Sequence, residues 1–376
     1  MGAFDAYSRT SARASAVGTP SQASDARFEM WRNGVRETVL EEVAEFVETQ
    51  GARHLASTGI DVTAAILGQF IGGGKCLRPT FMYLGWLCGA PPDRAALRAC
   101  AGLELLHAFA LLQDDVMDDS PMRRGLPAAH IQFGQWHRRR QLSGCERRFG
   151  ESAAILLSDL CLVWAEQMMR DSGVDQQALA RAWPHYDAMR VELAVGQFAD
   201  VLNDARALPT LDAVLDVARR KSGNYTVRRP LEIGAAMADR ADALDVLGSY
   251  GDMVGEAFQL RDDILGIFGT VGITGKPAGG DLAERKATSV VVAAYHLADG
   301  ATRRQLAELM AAGALGDDDL DRWRTLIVAT GAVEWIEDMI AERVGAAQDL
   351  LSHSGIDLPV QDALASMATA CALRVS

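Results

Sequence analysis

Residues 103–125, LELLHAFALLQDDVMDDSPMRRG, decide how this chain folds. They continue a nearly unbroken apolar stretch that begins at Ala95 and shows no alternation of apolar and polar residues. A helix that is apolar on all sides belongs in the centre of a many-helix bundle. Because this stretch then meets a group of aspartates, it predicts a buried helix that ends at a polar opening.

The rest of the chain repeats the helical pattern. Val39, Val43, Phe46 and Val47 recur at helical spacing, and no alternating strand pattern bounded by Asn-Gly or Asp-Gly turns occurs. Further apolar segments cover residues 153–169, 176–202, 211–221, 243–268, 289–297 and 333–351. We predict one all-α domain over residues 25–376, a single large bundle of about a dozen helices around a central apolar cavity. Residues 1–24 are small and polar and predict a disordered tail.

Composition restricts the function. Asp and Glu total 50 against 37 Lys and Arg, a formal net charge of −13, so we expect no nucleic-acid partner. A phosphate-bearing ligand then requires a local basic cluster or metal ions. The six cysteines form no CxxC pair, which is typical of a reducing compartment. No apolar run reaches the roughly 18 residues of a membrane span, so we expect a cytoplasmic protein without an integral membrane segment.

Two acidic clusters indicate the chemistry. Asp114 and Asp118 are four residues apart and share one helix face, with Asp115 beside them. Asp262 and Asp263 close a second long apolar segment. A solvated helix end explains one such pair. Two pairs instead indicate a polar opening that leads into an apolar cavity. Clustered carboxylates without His or Cys suit Mg²⁺.

Basic residues accompany both clusters. Lys75 and Arg78 lie in GGGKCLRP, where a glycine-rich helix entrance favours anions, and Arg123 and Arg124 follow the first cluster. There are three further lysines: Lys221 precedes Ser222 and Gly223, Lys276 follows Gly275, and Lys286 lies beyond Asp281. Any one of these side chains alone is explained as a solvated surface cation. Together with metal sites they favour a diphosphate ligand whose apolar part occupies the cavity.

Five separated motifs, in order, resemble those of the trans-isoprenyl diphosphate synthase (polyprenyl synthetase) family, most closely its bacterial short-chain branch. They are GGGKCLRP, DDVMD with RRG, GQFAD, KSG and FQLRDDILG, followed by Thr274, Gly275, Lys276, Asp281 and Lys286. The resemblance implies an isoprenoid-synthase helical bundle that forms a homodimer. It also implies a Mg²⁺-dependent prenyltransferase that condenses isopentenyl diphosphate with an allylic diphosphate (dimethylallyl, geranyl or farnesyl) by ionisation, condensation and elimination.

The resemblance also assigns roles to individual residues. Asp114 and Asp118 would bind two Mg²⁺ ions on the allylic diphosphate, with Asp115 in support, and Asp262 would bind a third. The allylic diphosphate would be gripped by Arg123, Lys221 with Ser222, and Lys276, supported by Gln197, Asp200, Gln259 and Lys286. The isopentenyl diphosphate would be bound by Lys75, Arg78, His107 and Arg124, with Phe258 over its short chain. A core histidine is the alternative for His107.

Product length depends on what blocks the growing chain. Phe109 lies about 7.5 Å along the helix from Asp114. In the family an aromatic residue at this spacing shortens the product, and with small Ala110 and no insertion in DDVMD the pattern resembles the geranylgeranyl-forming type. We expect a C20 product, with farnesyl diphosphate as the alternative. Phe109 could also be core packing, in which case another helix limits the chain.

Three positions depart from the family pattern. Cys76 stands where bacterial members often carry Arg, and Gln113 replaces a common His before the first aspartate. Gly266 replaces the last aspartate of the second cluster, which leaves Asp262 and Asp263 to serve the third metal ion. Every position expected to grip a diphosphate is filled.

Two other functions are compatible with parts of this pattern. A class I terpene cyclase shares the cavity and the first metal cluster, but it usually carries an Asn–x₃–Ser–x₃–Glu motif that is absent from this sequence. A non-catalytic subunit of a heteromeric prenyl synthase is expected to lose the first cluster or its RRG, and both are present. The sequence therefore favours coupling of two diphosphates.

Overall fold

The computed structural model describes residues 22–55, 59–204, 208–269, 279–313 and 315–373. Almost all of this part of the chain is helical, which confirms the all-α prediction. The helices are α1 Gln22–His54, α2 Thr63–Ile71, α3 Leu77–Leu87, α4 Arg94–Met117, α5 Ala129–Arg139, α6 Glu146–Arg170, α7 Gln176–Asp204, α8 Leu211–Ala218, α9 Arg229–Met237, α10 Leu244–Phe268, α11 Gly280–Ala283, α12 Ser289–Leu297, α13 Gly300–Ala311, α14 Asp317–Ala329, α15 Ala332–Leu351 and α16 Leu358–Leu373. A π-helical segment covers Arg219–Arg228, a 3₁₀ turn covers Ala241–Ala243, and two short strands are β1 Met122–Arg123 and β2 Leu126–Pro127.

The described chain divides into two compact units. The N-terminal unit contains Arg27–Trp183 and Ile233–Ala241. The C-terminal unit contains the described residues of Met1–Ala26, Pro184–Glu232 and Asp242–Ser376. A single domain over residues 25–376 stays a prediction. Of the predicted tail, residues 1–21 lie outside the described residues, and α1 begins at Gln22.

Helix α4 is the core of the N-terminal unit, as the apolar stretch predicts. Asp93 caps its start, because its carboxylate accepts a hydrogen bond from the N–H of Ala95 at 2.7 Å. The helix packs between α3 and α6. A Cβ at Gly102 would lie 2.8 Å from the Ala165 carbonyl oxygen, so glycine permits the close approach of α4 and α6. Half of its residues are buried, which fixes the orientation of the aspartates at its end.

Two described helices, α4 and α6, are long and apolar enough to cross a membrane by length and composition alone. In α4, 61% of the apolar window is buried inside the protein, and in α6 the share is 44%. Core helices of a bundle meet the same criterion, and the packing of α4 on α3 and α6 assigns it to that role.

Helix α10 is the core of the C-terminal unit and packs against the π-helical segment, α15 and α16. Arg261 on α10 is 4% exposed and donates two hydrogen bonds to the Glu337 carboxylate, at 2.6 and 2.5 Å. Its Nε also donates to the Ala372 carbonyl oxygen at 2.5 Å. This fully satisfied buried ion pair ties α15 and α16 to the turn of α10 that carries the second acidic cluster.

Candidate active site

The predicted site residues form two groups, one in each unit. The N-terminal unit holds the glycine-rich entrance, the first acidic cluster and the RRG turn. The C-terminal unit holds the GQFAD, KSG and FQLRDDILG motifs and Lys286. Lys276 lies outside the described residues, so its predicted role stays a prediction.

The first acidic cluster lies at the C-terminal end of α4. Asp114 and Asp115 belong to its last turn, and Asp118 caps it by donating its N–H to the Asp114 carbonyl oxygen at 2.8 Å. Carboxylates at this end face the negative pole of the helix dipole, at a cost of about 0.3–1 kcal/mol each. Cations at this helix end therefore remove an unfavourable charge interaction.

Arg123 provides one such cation. Its Nε donates to Asp115 Oδ1 at 2.8 Å, and its Nη2 donates to Asp114 Oδ2 at 3.3 Å and also to Asp115. Burial alone would lower the pKa of Arg123, but the hydrogen bonds and charges of Asp115 and Asp114 raise it above its ordinary value. The Asp115 side chain is fully buried, whereas that of Asp114 is 23% exposed. Asp115 thus holds Arg123 in place, while part of the Asp114 side chain remains exposed to solvent.

A tight hairpin positions Arg123 and Arg124. Strands β1 and β2 pair antiparallel, with Arg123 opposite Leu126. Between them Arg124 has φ of 51° and Gly125 has φ of 77°, and two consecutive positive values are typical of a type I′ turn. The glycine of RRG is therefore needed for its backbone conformation. The sequence predicts no strand here, and the structure shows this short hairpin. Strands of two residues cannot be predicted from the sequence, because they are too short to show an alternating pattern.

The glycine-rich entrance binds arginines through its backbone. Arg124 Nη1 donates to the carbonyl oxygens of Phe70 and Gly72, both at 3.1 Å. Arg36, on α1, donates from Nε to the Gly74 carbonyl oxygen at 2.7 Å. These bonds fix the loop that enters α3, on which Lys75 is exposed and Arg78 is half-buried in the helix's first turn.

A buried carboxylate, Glu104 on α4, accompanies this basic group. Glu104 is 2% exposed, and burial raises its pKa while the charges of Arg78, Arg124 and Arg36 oppose that change. Burial also lowers the pKa of His107, one turn along α4, well below its ordinary value, and Arg78 and Arg124 lower it further. His107 is therefore neutral at pH 7. Arg36 and Glu104 are not predicted from the sequence, although a glutamate inside an apolar helix is an available signal.

The remaining predicted residues of α4 lie between these groups. Gln113 donates from Nε2 to Ser158 Oγ on α6 at 2.6 Å, so the departure at this position fixes the orientation of α4 against α6. Phe109 and Ala110 are both half-buried. Cys76, another departure, is buried in a left-handed conformation with φ of 48° immediately before α3.

In the C-terminal unit the GQFAD and KSG motifs lie against each other. A Cβ at Gly196 would lie 2.8 Å from the Lys221 backbone nitrogen, so only glycine allows α7 to approach this closely. Lys221 Nζ then forms an ion pair with Asp200 Oδ2 at 2.6 Å. Gly223 approaches α10 in the same way, since its Cβ would lie 3.1 Å from the Gly255 carbonyl carbon. The glycines of both motifs thus set the position of Lys221.

Neighbouring aspartates of the second cluster have different surroundings. Asp263 is buried, its Oδ1 accepts from Gln259 Nε2 at 2.7 Å, and its Oδ2 accepts from Ser289 N at 2.9 Å and Ser289 Oγ at 2.6 Å. Burial raises the pKa of Asp263, and these hydrogen bonds oppose the change. Asp263 therefore fastens α12 to α10, and the expectation that it also serves a metal ion stays a prediction. Asp262, one position round the helix, is half-buried.

The supporting residues of this unit are placed as follows. Phe258 is buried, at 6% exposure. Lys286 Nζ forms an ion pair with Glu284 Oε2 at 3.2 Å. Gln197 Nε2 is buried and has no hydrogen-bond partner among the described residues, so it remains a donor available to an acceptor from a ligand. Ser222 is half-buried in the π-helical segment.

The donor sets of both units fit Mg²⁺ by their chemistry. Each offers aspartate oxygens near the C-terminal end of a helix. Within the described ranges, no three acidic, His or Cys side chains converge into a complete metal cage. Mg²⁺ does not require one, because it usually keeps several waters and is bound by one or two carboxylates together with substrate phosphates.

Long apolar helices that end in aspartates beside arginines and lysines define a helical enzyme of diphosphate chemistry. The family model described as polyprenyl synthetase matches residues 61–326 of this chain. The chain therefore belongs to the polyprenyl synthetase family, and the prediction of a trans-prenyltransferase is confirmed.

Relatives agree with this assignment. A geranylfarnesyl diphosphate synthase from Aeropyrum pernix is 31% identical over 298 residues, covering 78% of this chain and 87% of its own. A geranylgeranyl diphosphate synthase from Mycobacterium tuberculosis is 31% identical over 310 residues, 82% of each chain. The crystal structure of a geranylgeranyl pyrophosphate synthase from Corynebacterium glutamicum, complexed with isoprenyl diphosphate and magnesium, matches with a TM-score of 0.85 at 34% identity, covering 91% of this chain and 99% of that one.

Proposed function

We propose that this chain is a Mg²⁺-dependent geranylgeranyl diphosphate synthase that adds isopentenyl diphosphate to allylic primers up to C20. The observation that carries the proposal is one neighbourhood of the N-terminal unit. There the charges of Arg78, Arg124 and Arg123 all act on neutral His107, and Arg123 also contacts Asp114. An anion-binding group thus adjoins a cation-binding group at the end of an apolar helix.

The residues of this neighbourhood have distinct tasks in the proposal. Lys75, Arg78 and Arg124 bind the isopentenyl diphosphate, and His107 donates a hydrogen bond to it without adding charge. Asp114 and Asp118 bind metal ions. When bound, Mg²⁺ would stabilise the negative charge that develops on the departing diphosphate oxygens.

In the C-terminal unit, Lys221 holds the allylic diphosphate together with Lys276, and Asp262 binds a third ion. Asp200 orients Lys221 through their ion pair, and Gln197 offers its buried Nε2 to a diphosphate oxygen. The buried Phe258 packs over the isopentenyl chain. Ser222, Gln259 and Lys286 support this group.

The proposed chemistry needs no covalent nucleophile. The allylic carbon–oxygen bond breaks, and its electron pair leaves with the diphosphate. The isopentenyl double bond then attacks the allylic cation, forming the new carbon–carbon bond, and a proton is lost to the released diphosphate. The apolar side chains of α4 exclude water, which would otherwise trap the cation as an alcohol. Arg123 and Lys221 stabilise the charge on the leaving group.

The C20 assignment rests on Phe109 and Ala110, and product analysis tests it. The purified protein is incubated with isopentenyl diphosphate, dimethylallyl diphosphate and Mg²⁺, and the dephosphorylated products are separated by chromatography. We expect a C20 alcohol, and longer products from Phe109→Ala. The matched control is Leu111→Ala on the same helix, because Leu111 is rotated about 200° from Phe109. A cyclic hydrocarbon would indicate a cyclase, and no product would indicate a silent subunit.

We also propose that the enzyme is a homodimer. Large apolar side chains are exposed on α6, at Leu156 (64%) and Val163 (60%). On α7, Val191 (61%) and Phe198 (77%) are exposed as well. Light scattering after gel filtration is expected to give twice the chain mass for the wild type and the monomer mass for Leu156→Glu/Val163→Glu. Its cytoplasmic location stays a prediction.

A further inference from the structure

Asp281 occupies the place of a side chain that α10 lacks. A Cβ built at Gly266 would overlap the carboxylate of Asp281, and it would lie 2.6 Å from the Asp281 Cγ. Asp281 belongs to α11, which packs against α10 within the C-terminal unit. The space beside residue 266 is therefore filled by a carboxylate that comes from 15 residues further along the sequence.

This space lies on the helix face that carries Asp262. Residues 262 and 266 are four apart, so their Cβ positions are about 5–6 Å from each other on one face of α10. Asp263 is rotated by about 100° from that face, and its oxygens are bonded to Gln259 and Ser289. On this face the acidic partner of Asp262 is thus Asp281.

The backbone around Asp281 fixes it in this place. The Lys286 N–H donates to the Asp281 carbonyl oxygen at 2.8 Å, which closes a turn after α11. Within this turn Arg285 has φ of 56°, and its guanidinium donates to the Gly313 carbonyl oxygen at 3.1 Å. A side chain at residue 266 would occupy the same space as the Asp281 carboxylate. Asp281 can therefore take this position only because residue 266 is glycine.

We propose that Asp281 supplies the carboxylate that residue 266 lacks and acts with Asp262 on the same Mg²⁺ ion. This proposal rests on the proposed function, since the ion belongs to the diphosphate site. Gly266 then makes room for a ligand from another helix, and the second acidic cluster keeps two carboxylates on its metal-binding face. The departure from the family pattern at residue 266 is thereby compensated.

The test measures metal binding directly. Mn²⁺ replaces Mg²⁺, and bound Mn²⁺ is determined by electron paramagnetic resonance in the presence of inorganic diphosphate. We expect Asp281→Asn to weaken the binding of one Mn²⁺ by roughly 10-fold or more. The matched control, Asp338→Asn, changes an exposed carboxylate of α15 and is expected to bind Mn²⁺ like the wild type. Circular dichroism establishes that each variant is folded.

A second variant moves the carboxylate from residue 281 to residue 266. The test then does not depend on whether a single substitution disturbs the fold. Asp281→Ala empties the space beside residue 266, and Asp281→Ala/Gly266→Asp refills it from α10 itself. We expect the double variant to bind Mn²⁺ more tightly than Asp281→Ala. Unchanged affinity in Asp281→Asn, or no gain in the double variant, would overturn the proposal. Wild-type protein that neither binds Mn²⁺ with diphosphate nor elongates a primer would instead refute the proposed function.

Discussion

Glu232→Gln is expected to destabilise the C-terminal unit strongly, because Glu232 is a buried carboxylate at the centre of a partly buried charge network. The side chain is 6% exposed, and its Oε1 accepts from Arg228 Nε at 2.9 Å. Its Oε2 accepts from Arg229 Nη1 at 2.5 Å and lies 3.2 Å from His185 Nδ1. Arg229 also donates to Glu192 on α7 at 3.0 Å. The network thus joins α7 to the π-helical segment that carries Lys221.

The magnitude follows from the acidity of this carboxyl group. Burial alone would raise the pKa of Glu232, but the hydrogen bonds from His185 and Arg228 and the charge of Arg229 lower it to about 2, from an ordinary 4.5. A carboxylate whose pKa is lowered on folding contributes stability above its unfolded pKa and loses it as the pH falls. The difference corresponds to about 3 kcal/mol at pH 7. This contribution to the free energy of unfolding is fully present above pH 4.5 and disappears as the pH falls to about 2.

Urea unfolding followed by circular dichroism measures this contribution. At pH 7 the free energy of unfolding of Glu232→Gln is expected to be about 3 kcal/mol below that of the wild type. The gap should narrow as the pH is lowered below 4.5. Glu308→Gln is the matched control, since Glu308 is exposed on α13. An equal stability of Glu232→Gln and wild type at pH 7, or a gap that does not change with pH, would refute the reasoning.

Three further outcomes are expected. Asp114→Ala and Arg123→Ala should each lower the turnover number by about 10²-fold or more, since both act on charge that develops in the transition state; steady-state kinetics with an unchanged value would contradict their assignment. The ratio of kcat/KM for isopentenyl diphosphate between wild type and His107→Gln should stay constant from about pH 6 to pH 8, because the lowered pKa of His107 keeps it neutral there. A titration of that ratio near 6.5 would count against this role. Glu337→Ala should lower the free energy of unfolding by about 3–5 kcal/mol, because it leaves the buried Arg261 uncompensated; a loss below 1 kcal/mol in thermal or urea unfolding would show that the pair is solvated.

The core of the fold is predictable from the sequence because its two central helices are long and mostly apolar. The stretch predicted as helical from residue 95 to 117 is α4, Arg94–Met117. The second predicted stretch, 243–268, is α10, Leu244–Phe268. In α4 no polar face competes for solvent, and in α10 the polar residues Asp245, Ser249, Asp252 and Glu256 recur at helical spacing, so the sequence pattern determines both elements. The hairpin at Arg124 and Gly125 was missed because its conformation depends on two backbone angles rather than on an apolar pattern.

The site is predictable at the level of residue types but not of contacts. Asp262 and Asp263 are equivalent in the sequence, and Ser289, on another helix, decides which of them is used for structure. The role of Gly196 depends on the approach of Lys221 from a later segment. Arg36 binds the backbone of a loop that lies between it and Glu104 in the sequence, and its charge acts on Glu104. Such pairings are set by tertiary packing, which local periodicity does not encode.

The π-helical form of Arg219–Arg228 has a consequence for how this enzyme can vary. Each wide turn holds one residue more than an α-helical turn. Loss of a single residue here would therefore convert a wide turn into an α-helical turn and leave the flanking helices in nearly the same orientation, whereas loss of a residue from an α-helix rotates everything beyond it by about 100°. Lys221, Arg228 and Arg229 would thus keep the faces on which they meet their carboxylates. Natural variants of this chain should therefore tolerate the loss of one residue in this segment better than in the α-helices on either side of it.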